Sequence, residues 1–173
     1  MIRVEKNPEP LISLEDILVK EFRVYQVLFG LTKEEREALS KNDVQLLLAL
    51  VERKEALLDE LGQLHETRRM KMQAVADVLG LANPSPTLAE VLAALEPGAA
   101  GQLGHLRAGI LALMHQIQEI TQGNRALANT AIERADALQT FLLSLFQAPA
   151  GYGPQGAHPA SEPPVSWEID QIA

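Results

Sequence analysis

Apolar residues recur at Leu103, Leu106, Ile110, Leu113, Ile117, Ile120, Leu127, Ala131, Leu138, Phe141 and Leu145, and Asn124 and Arg134 fill the two gaps in the series. The steps alternate between three and four, which keeps one seam of an α-helix facing a partner helix over about six heptads. Between Gly101 and Gln147 only Arg107, Glu119, Arg125, Glu133, Arg134 and Asp136 carry charge. Such a helix is built to pack against other helices, its own or another protein's. Two earlier stripes have the same period. One is Leu14, Ile17, Leu18, Phe22, Tyr25, Leu28, Phe29 and Leu31. The other is Val44, Leu47, Leu48, Val51, Leu58, Leu61, Leu64, Met72, Val75 and Leu79. The pattern predicts long helices near 14–39, 43–79 and 101–147.

The punctuation agrees. Residues 1–12 are polar, contain Pro8 and Pro10, and are expected to fray. Ser13 suits an N-cap, with Glu15 and Asp16 in the first turn. Gly30 is expected inside a continuous first helix, because one helical glycine costs only about 1 kcal/mol. Thr32 with Glu35 is the other option, a break with a new capping box. Asn42 or Asp43 can cap the second helix and Gly80 can end it. Asn83-Pro84-Ser85-Pro86 is a loop. Thr87 with Glu90 forms a capping box for a short helix, 88–95, which Pro97-Gly98 ends. From Ala148 the texture changes: residues 148–164 hold five prolines and three glycines. That composition predicts a mobile linker. The chain closes with VSWEIDQIA, which holds its single tryptophan. The expected fold is all-α: an antiparallel bundle of three long helices plus one short helix, with a helical domain at 1–147 and a flexible C-terminal tail at 148–173.

Composition narrows the function. The formal net charge is -8 and the pI about 5.0. Nucleic-acid binding needs a positive field, so no nucleic-acid partner is expected. The short run Arg68, Arg69, Lys71 reads as a solvated helix face. There is no cysteine, so disulfide and thiol chemistry are excluded. The N-terminal residues do not form a secretory signal, and no segment reads as a membrane span, so a cytoplasmic protein with no direct membrane insertion is expected. His65, His105, His115 and His158 never pair at helical ligand spacing, and no phosphate loop or GxSxG is present. Glu34, Glu35 and Glu37 read as a solvated face. No catalytic residue, metal ligand or cofactor is assigned, and the chain is not read as an enzyme.

Three features remain on the long helix. Asn124, in a seam position, can fix helix register or contact a ligand. Arg134 lies where the seam reaches solvent, its stem covering apolar surface. In Phe141-Leu142-Leu143-Ser144-Leu145-Phe146 five of six residues are large and apolar. One partner helix cannot bury them all, and apolar patches of that kind mark interaction sites.

These parts, in this order, resemble the FlgN family of flagellar export chaperones over roughly residues 10–156. The residues that carry it are Glu35-x-x-Ala38-Leu39 followed by Asp43, and Lys54-x-x-Leu57-Leu58-x-x-Leu61-x-x-Leu64 with Arg68. The short Thr87-Leu88 helix, Asn124 and Asn129, and Tyr152-x-x-x-Gly156 complete it. The resemblance implies a small acidic cytoplasmic chaperone of the flagellar type III secretion system. It would hold hook-associated proteins, the hook–filament junction proteins, by their terminal helices. The matching client-binding positions are Leu138, Phe141, Leu142, Leu145 and Phe146. Tyr152, with Gly156, matches the tyrosine that docks at the cytoplasmic domain of the membrane export gate. The proline-rich extension and terminal VSWEIDQIA depart from the family pattern. A different reading is a helical coiled-coil adaptor or structural homo-oligomer with no export role, its seam pairing with a second copy. A homodimer is compatible with either reading.

Overall fold

The computed structural model describes residues 9–146. The expectations placed on Tyr152, Gly156, the proline-rich linker and VSWEIDQIA lie outside the described residues. Four helices follow in order: α1 (Glu9–Lys41), α2 (Val44–Leu79), α3 (Leu88–Ala94) and α4 (Pro97–Phe146). No strand occurs among the described residues. Contacts divide the chain into two units, Met1–Arg134 and Ala135–Ala173.

Most boundaries follow from local chemistry. Asp43 caps α2, its side chain accepting from the Leu46 amide at 3.0 Å. Gly80 ends α2 in the left-handed region at φ 69°, where a side chain would be strained. Thr87 and Glu90 form the reciprocal capping box of α3. Hydrogen bonds from the Thr87 backbone and side chain, then from Asn83, hold the Glu90 carboxyl below its ordinary range. The starts of two helices differ from expectation. Pro10 lies in the first turn of α1 and Pro97 opens α4. A proline is tolerated there because its missing amide would have no intrahelical acceptor. Pro97, expected to end the short helix, starts α4, and the segment expected to fray through residue 12 is helical from Glu9. Gly30 lies within unbroken helix, and Thr32 donates its hydroxyl to the Leu28 carbonyl at 2.8 Å instead of capping a new one.

In the first unit, the pairs Tyr25–His65, Glu21–Arg68 and Glu35–Lys54 make α1 and α2 antiparallel. α4 runs parallel to α1: Glu15 meets Gln102, Phe22 lies against Gly109 and Arg36 lies against Gly123, each pair 87 positions apart. The three contacts recur at multiples of seven residues, the register of coiled-coil packing. At Gly109 an added Cβ would come within 2.8 Å of the Phe22 ring, so any side chain there would displace the ring. Leu14, Leu18, Tyr25 and Leu28 form the core with Leu61, Val75 and Leu79 of α2 and with Leu103 and Ile110 of α4. Val91 and Leu95 close the same cluster. Each such side chain contributes about 1.5–3 kcal/mol relative to exposure.

The α2 stripe needs correcting. Leu61, Val75 and Leu79 are buried as expected, and so is Leu50, which the stripe omitted. Val44, Leu48, Val51 and Leu58 are exposed. α2 carries two apolar series one residue out of step, about 100° apart on the helix. The inner one includes Leu47, Leu50, Leu57, Leu61 and Leu64, with Lys54 interrupting it. The single stripe expected from the spacing is thus two faces.

The basic run is corrected as well. Arg68 is half-buried and turned inward: its guanidinium donates at 2.8 Å to Glu21, whose side chain has no exposed surface. The second oxygen of Glu21 has no hydrogen-bond partner and lies 3.9 Å from Nε2 of His65. Arg69 pairs locally with Glu66, which its hydrogen bonds hold below the usual carboxylate range.

Burial raises the Glu21 carboxyl above its ordinary 4.5, and the charges of Arg68 and His65 oppose the rise. The folded chain therefore binds this proton more tightly than the unfolded one. Its contribution is fully present below the ordinary value and falls as the pH rises through the raised one. Glu21→Gln should thus gain stability relative to wild type between pH of about 4 and about 7. Urea unfolding at both values checks this, and a Gln variant that loses ground with rising pH contradicts it. Arg68→Ala should cost about 2–3 kcal/mol at neutral pH, toward the low end for a broken buried pair because its side chain is partly exposed.

Candidate functional site

The expected surface lies on α4. Up to Ala128 the helix keeps residues turned inward: Leu103, Ile110 and Asn124 are buried, and Leu106, Leu113 and Ile117 pack against the core. From Asn129 to Phe146 every residue except Ala131 is exposed. Leu138, Phe141, Leu142 and Leu145 stand at 58, 57, 44 and 57% exposure and Phe146 at 86%. Their spacing places the first four on one face about 100° wide, with Phe146 at its edge. Leu143, also exposed, lies on another side.

The polar groups nearby are occupied within the helix. The hydroxyls of Thr130, Thr140 and Ser144 donate to the carbonyls of Ala126, Asp136 and Phe141 at 3.0, 2.9 and 2.6 Å. Only Glu133, Arg134 and Asp136 are charged between 129 and 146. The surface therefore offers apolar area, with few groups that need a polar partner. Its chemistry is that of a helix face accepting another apolar helix face. Arg134 is exposed, as the sequence suggested.

Asn124 does what a register residue does. Its side-chain amide donates to the Thr32 carbonyl at 3.0 Å and to Glu35 at 2.6 Å. Glu35 also accepts from Lys54, 3.1 Å from each oxygen. One polar network thus joins α1, α2 and α4. The three-glutamate face is solvated only at Glu34 and Glu37, which pair with Arg53 and Lys41. The Glu35 side chain is 18% exposed and turned inward. Spacing alone did not show this, because the residues that draw Glu35 in lie on other helices. A groove of about 290 Å³ opens beside the network, lined by Leu39, Leu47, Lys54, Thr121, Arg125 and Ala128. Among the described residues no group of three His, Cys, Asp or Glu is placed to hold a metal ion. None of the described helices is long and apolar enough to cross a membrane.

The family model described as FlgN protein matches residues 11–160. No curated protein and no solved structure matches the chain. The chain belongs to the FlgN family. This is a family of flagellar export chaperones that bind flagellar proteins, and a chaperone role follows for this chain. Several of the residues that carry the resemblance have structural roles: Glu35, Lys54 and Asn124 form the three-helix network, Asp43 and Thr87 cap helices, and Arg68 pairs with buried Glu21.

Proposed function

We propose that this chain is a cytoplasmic chaperone that holds hook-associated proteins by their terminal helices and delivers them to the export gate. The binding face is Leu138, Phe141, Leu142, Leu145 and Phe146. The observation that carries the reading is the exposure of all five together on neighbouring positions of one helix. Large apolar side chains left in water on one helix face are costly unless a partner covers them. An export client must be kept unassembled and later released without covalent chemistry. A single helix face supplies a modest interface suited to that cycle. Delivery is assigned to Tyr152, with Gly156. Tyr152 lies between Gly151 and Gly153, and an aromatic flanked by glycines reaches a partner unhindered.

Phe141→Ala combined with Leu145→Ala should weaken binding to a hook-associated protein by about 2–4 kcal/mol, because each loses part of the value of a buried large side chain. Both residues are exposed, so the variant should unfold at the wild-type temperature. Calorimetric titration decides: unchanged affinity in the folded double variant contradicts the assignment. If the patch instead pairs two copies, wild type will sediment as a dimer and the variant as a monomer.

Tyr152→Ala should leave stability and client binding unchanged and reduce capture of the chaperone–client complex by the gate's cytoplasmic domain. Normal gate binding by the variant contradicts the role. A stability loss above about 1 kcal/mol marks a packing residue instead.

A further inference from the structure

The exposed series on α2 is a second seam with its own regularity. Val44, Leu48, Val51, Glu55, Leu58 and Gly62 follow steps of four and three, the spacing of a coiled-coil face. Its four apolar members are 60, 59, 44 and 54% exposed. No described residue covers them. Leu47 and Lys54, which line the groove beside the three-helix network, belong to the inner series and not to this seam.

The charges around the seam identify its occupant. Glu55 occupies one seam position, and Glu52 and Asp59 flank it on the same exposed side of the helix. None of the three forms an ion pair with a described residue, whereas the nearby bases Arg53 and Lys54 are held by Glu34 and Glu35. A second copy of this chain, packed seam to seam, would set three carboxylates against three more. The chain's own C-terminal segment fits no better: residues 148–173 contain Glu162, Glu168 and Asp170 and no lysine or arginine. The matching surface is an amphipathic helix with an apolar stripe flanked by lysine or arginine.

We propose that the outer face of α2 is a docking site for a basic amphipathic helix of a partner protein, separate from the α4 surface. The apolar residues supply contact area. Glu52, Glu55 and Asp59 select the partner by charge and set its register. This goes beyond the chaperone reading and does not depend on it.

The test uses the full chain and a designed helical peptide of about 21 residues, leucine at its seam positions and lysine beside them. A second peptide keeps the leucines and replaces lysine with glutamate. Fluorescence anisotropy at low salt should show the lysine peptide binding at least about ten-fold more tightly, with the preference shrinking as salt rises. Glu52→Lys, Glu55→Lys and Asp59→Lys together should reverse the preference. Val51→Ser with Leu58→Ser should weaken the lysine peptide about ten-fold, and the exposure of both side chains keeps this variant folded. Phe141→Ala with Leu145→Ala should leave it bound. The proposal is overturned if neither peptide binds or if both bind alike. It is also overturned if charge reversal has no effect, or if the α4 variant alone abolishes binding. Wild-type chain that dimerises through α2, lost in the Val51→Ser, Leu58→Ser variant, would overturn it too.

Discussion

A carboxylate with no exposed surface fixes the register of this bundle. Leucine seams on α1 and α2 specify that the helices meet, but a uniform leucine face slides by a turn at little cost. Glu21 does not tolerate sliding, because a buried charge without Arg68 is expensive. Once Glu21 and Arg68 meet, moving fourteen residues along each helix in opposite directions brings Glu35 to Lys54. Glu35 then receives Asn124 from α4, whose amide also bonds the Thr32 carbonyl. Two polar clusters thus position three long helices, and the apolar core supplies most of the energy around them.

α4 changes character along its length. α4 is held along α1 from Gln102 to Asn124, and its side chains beyond Asn129 are in water apart from Ala131. The same three-and-four spacing runs through both parts, so a seam that packs at home continues as a seam with no described partner. In the role we propose, that surface would offer a client helix an apolar face while the first unit keeps its own core.

Much of this was legible in the sequence. The four helices, the caps at Asp43 and Thr87, the terminator Gly80 and the apolar excess at 141–146 all come from local rules of propensity and capping. Three things were not legible. The division of α2 into inner and outer seams depends on which face α1 occupies, and periodicity does not say. The burial of Glu21 and Glu35 depends on Arg68, Lys54 and Asn124, which lie on other helices, so the cluster Glu34, Glu35 and Glu37 suggests only a solvated face and no local pattern singles out Glu21. Pro97 starts α4 where the sequence suggests a stop, because a proline both starts and stops helices, and only the direction of the following stripe distinguishes the two. The α4 surface itself was visible because apolar density beyond one partner's capacity is a local property. Its occupant is not encoded locally.

In the proposed role, α4 has a first part stabilised by tertiary packing and a second part stabilised when a partner covers it. Amide hydrogen exchange of the full chain, read along α4 with and without a hook-associated protein, tests this most directly. Helix without tertiary contacts is marginal and opens easily, whereas packed helix exchanges only through larger unfolding. In the free chain, amides from Leu103 to about Ala128 should be strongly protected and those from 132 to 146 should exchange fast, with protection extending through Phe146 once the client binds. Uniform protection along α4 in the free chain, or no gain at 138–146 on adding the client, would contradict the account.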